Sequence, residues 1–368
     1  MLPISRPLIG KEEKQAVKKV LDSGIIASGP VVKEFERKFA SYQGAKSAVA
    51  AANGTCALHT ALYALGIGRG DMVLTTPFTF FATASSIIHS GASPVFADIE
   101  EESFNISPDA LEQALKKDKK RKIKAVVVVH LYGQICKMDE IMKTARRYGV
   151  KVIEDAAQAH GAVYKGKKAG QFGDAAAFSM YATKNMTSSE GGMVIFKSRG
   201  PERTARQFIN HGMKNMYYHT HIGYNYRTTD IEAAIGLEQL KKLDGFNAKR
   251  RKNAAVLTEA FAEYDSIITP KEQKGCRHIF HQFTVRVKKG RRGSLLKHLN
   301  AEKIGAKVFY PVPLHKQPVF RKFAGKNAAF PEAEKASREV ISLPVHPGLN
   351  RDDIEKISRA FKKYFGRI

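Results

Sequence analysis

Residues 124–130 read Lys-Ala-Val-Val-Val-Val-His. Four consecutive valines leave no polar alternation, so a strand here offers no face to water. Strands buried on both sides belong to mostly parallel sheets covered by helices. The flanking sequence agrees. Downstream, 138–148 has helical length and period, and 152–155 (Val-Ile-Glu-Asp) reads as the next strand. Upstream, strands expected at 47–51, 72–75 and 94–98 alternate with helix-length segments at 55–65, 79–90 and 108–117. Further strands are expected at 175–180 and 193–196. The fold class is therefore α/β, with a mostly parallel central sheet flanked by helices.

The pattern changes near residue 228. A helix over 228–243 shows an apolar face of Ile231, Ala234, Ile235, Leu237 and Leu240. A second helix is expected at about 246–263. Beyond it come a strand near 280–287, a helix near 293–304, a strand at 307–310, a Pro-rich loop and a terminal helix at 352–365. A large domain over 1–245 and a smaller C-terminal α+β domain over 246–368 follow from this change.

The chain has 368 residues, with 61 lysines and arginines against 35 acidic residues, a formal charge of +26. Its 43% hydrophobic and 26% charged content fits a globular protein and excludes a disordered or fibrous chain. The charge makes nucleic acid, an anionic membrane surface or a phosphorylated substrate the first partners to weigh. Cys56, Cys136 and Cys276 include no close pair, so neither a disulfide framework nor a zinc site is expected. The start, Met-Leu-Pro-Ile-Ser-Arg-Pro, lacks the apolar core of a signal peptide. The apolar run 125–129 is too short to span a bilayer. A cytoplasmic protein with no integral membrane segment and no bound metal is expected. The basic run at 116–124 reads as a solvated helix end and loop.

Five segments bear on chemistry. In 178–192 (Phe-Ser-Met-Tyr-Ala-Thr-Lys-Asn-Met-Thr-Ser-Ser-Glu-Gly-Gly), Lys184 lies in a loop between strands. A desolvated lysine can act as a nucleophile toward carbonyls; read alone, Lys184 is also one of many solvated lysines. Asp155 falls at the carboxyl end of a buried strand, where open α/β sheets place ligand-binding groups. A carboxylate there can keep a heterocyclic nitrogen protonated, as pyridoxal phosphate requires; the alternative is a helix cap. Gln158 would reach a neighbouring ring substituent, and Glu154 would point the opposite way. Ala-Asn-Gly-Thr at 52–55 opens a helix, whose free N–H groups suit a phosphate, or is an ordinary strand–helix turn. Phe80 could stack on a planar group or sit in the core. Residues 223–230 (Gly-Tyr-Asn-Tyr-Arg-Thr-Thr-Asp) form a polar, aromatic helix entry capped by Thr228 or Thr229.

Taken in order, these segments resemble the DegT/DnrJ/StrS family of nucleotide-sugar aminotransferases, pyridoxal-phosphate enzymes of fold type I. The resemblance runs from Ser28-Gly29-Pro30 through Asn53-Gly54-Thr55, Thr79-Phe80, Glu154-Asp155-Ala156-Ala157-Gln158 and Thr183-Lys184-Asn185. It continues through Tyr224-Asn225-Tyr226-Arg227 to Pro313-Leu314-His315 and Ser342-Leu343-Pro344. It implies that Lys184 is the Schiff-base lysine and proton shuttle, Asp155 the partner of the pyridinium nitrogen, and Gln158 the partner of the ring hydroxyl. Phe80 takes the stacking position, and Gly54, Thr55 and Ser179 the phosphate. Asn225 matches a residue that reaches the phosphate of a neighbouring subunit, implying a homodimer with active sites at the interface. His160, His211, Tyr310 and His315 match positions on the substrate side.

The implied reaction moves an amino group from L-glutamate, leaving 2-oxoglutarate, to a keto sugar on a nucleoside diphosphate. Pyridoxamine phosphate is the intermediate cofactor form. The stretch after Lys184 is similar to the version of the loop associated with amination at carbon 4 of a 4-keto-6-deoxy hexose. The alternatives are a carbon-3 enzyme and, in a different class, a basic nucleic-acid-binding regulatory protein. A histidine replaces the lysine in dehydratases on the same scaffold, so Lys184 argues against that branch. No helix-turn-helix or aromatic–basic RNA signature appears, and no nucleic-acid partner is expected.

Overall fold

The computed structural model describes residues 1–325 and 328–366. Its central sheet has seven strands: β1 (Ala48–Ala51), β2 (Met72–Thr75), β3 (Ser93–Phe96), β4 (Ile123–Val129), β5 (Lys151–Asp155), β6 (Ala175–Ser179) and β7 (Gly192–Phe196). Their spatial order is β1-β7-β6-β5-β4-β2-β3. Pairs among β2, β3, β4, β5 and β6 are parallel, whereas β7 runs antiparallel to both β6 and β1. The valine run lies in the sheet interior with Val126, Val127 and Val128 fully buried, as its lack of alternation requires. Helices α1 (Gly54–Ala64), α2 (Phe81–His89), α3 (Pro108–Lys117) and α4 (Met138–Tyr148) fill the connections. The parallel strands therefore present their carboxyl ends on one edge, where Thr75, Val129, Asp155 and Ser179 lie.

Three expectations need correction. The two helices expected at 228–243 and 246–263 are one 32-residue helix, α5 (Asp230–Phe261). Gly245 in its middle costs roughly 1 kcal/mol against alanine. Burial of Leu243, Asn247, Arg250, Ala254 and Leu257 on either side outweighs this. A division of the chain at 245 thus falls inside a continuous helix. The strand expected at 307–310 reduces to one bridge, Lys307 with Ser342. Val308, Phe309 and Tyr310 instead pack on the cluster holding Phe78, Phe104 and Tyr132. The strand placed near 280–287 begins at Phe283, leaving 278–281 free to turn toward the large sheet.

A second apolar cluster joins α5 to the C-terminal elements. Leu257 and Phe261 meet Phe283 and Val285 of β8 (Phe283–Val287), together with Leu295, Ile357 and Phe361. β8 pairs antiparallel with β9 (Val340–Leu343), a short apolar strand not anticipated from the sequence. Leu2 also belongs to this cluster, held by hydrogen bonds with Lys303 and Gly305. Among the described residues, no helix is long and apolar enough to cross a membrane.

Candidate active site

Asp155 ends β5 with 5% of its surface exposed. Its Oδ2 accepts a hydrogen bond from Thr83 Oγ1 at 2.7 Å, and its Oδ1 accepts one from the Ala157 N–H at 3.3 Å. Burial pushes its carboxyl above the usual carboxylate range, against these donors and the Lys184 cation. Glu154 points to the other side of the sheet, as the strand pleat demands. There it accepts the N–H groups of Gly170, Phe172 and Gly173 at 2.7, 2.8 and 2.7 Å, and meets His130 Nε2 at 2.9 Å. Two adjacent carboxylates thus take different work. Glu154 is fully satisfied by the chain and holds the 170–173 turn, whereas Asp155 faces the strand-end edge beside an amine.

That amine is Lys184. Its loop leaves β6 and returns to β7, closed by Met180 N–H to Gly191 C=O at 2.8 Å and Ser188 N–H to Met180 C=O at 3.0 Å. The Gly191-Gly192 pair has a steric reason. Gly191 has φ +152°, and a Cβ on Gly192 would stand 2.3 Å from the Asn53 carbonyl oxygen. The return strand therefore presses directly on the turn that opens α1. Burial lowers the Lys184 amine to about 8, opposed by the Asp155 carboxylate. An amine in that range is a competent nucleophile and base near neutral pH.

The first turn of α1 supplies neutral donors. Asn53 caps it through its side chain, which accepts the Cys56 N–H at 2.9 Å. The N–H groups of Gly54 and Thr55 come before any helical partner and remain available for an anion. The Ser179 side chain closes the cradle from β6: a Cβ on Gly54 would lie 2.7 Å from Ser179 Cβ. Gly54→Ala must therefore push α1 away from Ser179. Its expected effect is a loss of about 1–3 kcal/mol of stability, typical of overpacking. A weaker hold on a phosphorylated cofactor accompanies it, read by thermal melting and cofactor titration.

Gln158 follows Asp155 by three residues. Its Oε1 accepts the Tyr132 N–H at 2.7 Å and its Nε2 donates to the Tyr310 hydroxyl at 3.2 Å. Phe80, 58% exposed at the entry to α2, holds its ring 6.2 Å from that of Tyr310. His160 is buried against Phe178, and burial, then Lys184, pushes its ring down to about 3. The structure thus gathers Gly54, Thr55, Phe80, Asp155, Gln158, Ser179, Lys184, His160 and Tyr310 at one strand-end edge.

Three candidates stand apart. His315 pairs with Glu334 at 3.1 Å, in a turn joined to the segment before Phe80 by Leu314 N–H to Pro77 C=O. His211 is exposed at the base of a hairpin, its carbonyl facing His219 Nδ1 at 2.9 Å. Asn225 bridges Asn210 through its backbone and exposes its side chain. The helix entry is capped by Thr229, in a box with Glu232. Thr83 and Tyr132 are two site residues that the sequence motifs do not single out. Thr83, four residues after Thr79 and bonded to it at 2.9 Å, carries a helical-spacing signal that was readable. Tyr132 acts through its backbone N–H, which no residue type announces.

The donor set suits a phosphorylated, ring-nitrogen cofactor attached through an amine. Residues 7–362 match the DegT/DnrJ/EryC1/StrS aminotransferase family. The chain belongs to that family. It is 42% identical over 362 residues to the "Pleiotropic regulatory protein" of Geobacillus stearothermophilus, covering 95% of this chain and 96% of that one. It is 37% identical to a GDP-perosamine synthase of Caulobacter vibrioides, covering 98% and 97% of the two chains. It is also 37% identical to the dTDP-3-amino-3,6-dideoxy-alpha-D-galactopyranose transaminase of Aneurinibacillus thermoaerophilus, covering 96% and 95%. The solved structure of DesV from S. venezuelae superposes with a TM-score of 0.92 at 34% identity, over 97% of this chain and 95% of that one. This DegT/DnrJ/EryC1/StrS protein is an aminotransferase of fold type I, and its cofactor is pyridoxal phosphate, aminated in turn to pyridoxamine phosphate.

Proposed function

We propose that this sugar aminotransferase moves the amino group of L-glutamate to carbon 4 of a 4-keto-6-deoxy hexose carried on a nucleoside diphosphate. Relatives named for GDP-perosamine and for a dTDP-3-amino sugar stand at the same identity, so overall similarity does not choose the carbon. The loop after Lys184 carries the choice. Its Thr187-Ser188-Ser189-Glu190-Gly191-Gly192 is similar to the Thr-Thr-x-Glu-Gly-Gly form of the carbon-4 enzymes.

When bound, pyridoxal phosphate supplies a ring that takes up the negative charge left on an amino acid's α-carbon. The chain supplies everything else. Gly54, Thr55 and Ser179 would hold the phosphate with neutral donors, and Phe80 would cover one ring face. Asp155, desolvated and aimed by Thr83, would stabilise a protonated ring nitrogen; Gln158, fixed by Tyr132, would donate or accept at the ring oxygen. Lys184 would bind covalently at rest and, once displaced, carry the proton from the donor's α-carbon. His160 and Tyr310, at the strand-end edge, would face the substrate side; a substrate role for His211 and His315, which stand apart from it, rests on the family resemblance alone. The exposed Asn225 side chain has no hydrogen-bond partner among the described residues. That is compatible with a role toward a second subunit, and we take the enzyme to be a homodimer.

The test of position is direct. Incubation with a nucleoside-diphosphate 4-keto-6-deoxy hexose and glutamate should give a product whose NMR spectrum places nitrogen at carbon 4; turnover of only the 3-keto isomer overturns the assignment. The +26 charge and the relative named a regulatory protein support one other reading, nucleic-acid binding. Binding of random duplex that persists in moderate salt would favour that reading.

A further inference from the structure

A hydrogen-bond chain that none of the assigned roles employs runs from the residue beside Lys184 into α5 and the 278–281 segment. His281 Nδ1 lies 3.0 Å from Asn185 Oδ1. Asn185 Nδ2 donates to Asn247 Oδ1 at 2.7 Å, and Asn247 Nδ2 donates to the His160 carbonyl at 2.8 Å. The chain has one direction. A backbone carbonyl only accepts, so it fixes the Asn247 amide, which in turn fixes that of Asn185. His281 is thereby the Nδ1–H tautomer, with its ring neutral. Burial, reinforced by Lys184 and Arg250, keeps that ring well below the ordinary histidine range.

Arg250, one turn along α5 from Asn247, secures the far end. Its buried guanidinium donates through Nη1 to the carbonyls of Phe280 at 3.3 Å and His281 at 3.1 Å. Among the described residues it forms no ion pair. A buried cation whose recorded bonds go to two carbonyls is unfavourable for stability alone. It does hold His281 where Asn185 needs a donor.

We propose that Asn185 is a positioning residue for Lys184, and that His281 and Arg250 act through it. Asn185 is gripped from three sides, by Asn247, by His281 and, at 3.5 Å, by the Ile279 carbonyl. The backbone immediately after the lysine cannot shift without breaking a buried, fully oriented network. Lys184 is thus presented in one orientation. The groups that face it are Asp155, His160 and His281. This inference rests on the role of Lys184 proposed above.

The enzyme loaded with pyridoxamine phosphate has Lys184 as a free amine, so competitive acetylation read by mass spectrometry reports its pKa. Asn185→Leu and His281→Phe remove the chain; His281→Asn keeps a donor where Nδ1–H stands. In the first two variants, water reaching the amine should raise the Lys184 midpoint by about one pH unit. Their kcat should fall roughly tenfold with KM for glutamate unchanged, as for a misplaced reacting group. His281→Asn should restore both values. An unchanged midpoint in Asn185→Leu and His281→Phe, even with a lower melting temperature, overturns the proposal. Full activity in Lys184→Ala would instead overturn the role of the lysine itself.

Discussion

Lys184→Ala should reduce amino transfer by at least roughly 10⁴-fold, the upper range for one positioned acid–base group. The visible absorption that covalent attachment to a lysine gives the cofactor should vanish with it. Two functions fail together, because the same amine holds the cofactor at rest and carries the proton afterward. No neighbour can stand in. His160 is pushed down to about 3 by burial, and His281 lies well below the ordinary range, so both are poor bases. In the form where Lys184 is free, the rate of proton removal should climb with pH and level off above about 8, the value that burial gives this amine. A variant that keeps both absorption and turnover would remove Lys184 from the mechanism.

Asp155→Asn should lower kcat by a factor on the order of 10³, the scale of losing one preorganised electrostatic partner. The substitution preserves shape and the contact with Thr83 Oγ1, so the loss isolates the charge. Its effect on the fold has the opposite sign. Burial raises the Asp155 carboxyl above its unfolded value. Between those two values the folded chain binds a proton that the unfolded chain has released, so stability falls as pH rises through that window. At neutral pH the ionised carboxylate therefore destabilises the cofactor-free protein. Asp155→Asn should melt at the same temperature or higher without cofactor, yet bind the cofactor more weakly. Thermal scans of both forms and cofactor titration check each half. Wild-type kcat in the variant would exclude Asp155 as the ring-nitrogen partner.

Much of the architecture could be read from local pattern. The valine run of β4, the placement of Glu154 and Asp155 on opposite faces, and the helix opening at 52–55 all follow from patterns a few residues long. Lys184 in a strand-flanked loop was equally legible, and its order among the other segments singled out the family. The errors have physical causes. Two helices are expected over 228–243 and 246–263, yet burial on both sides of Gly245 carries α5 through. Residues 308–310 have strand-forming side chains, but these pack on the cluster of Phe78, Phe104 and Tyr132, and only Lys307 bridges Ser342.

The amino-acid sequence by itself determined the alternating α/β order, the strand-end placement of Asp155 and the candidate lysine. Each depends on residues close together in the chain, whose periodicity and capping act locally. Only the tertiary structure decided what surrounds them. Asn185 meets Asn247 across 62 residues and His281 across 96. Gly54, at the start of α1, owes its lack of a side chain to Ser179 in β6, and Gly192 owes its own to Asn53. No period links such positions, because close packing sets these contacts between elements that meet only in the folded chain. The same packing lowers the Lys184 amine and raises the Asp155 carboxyl, since desolvation belongs to the enclosed site and to neither residue alone.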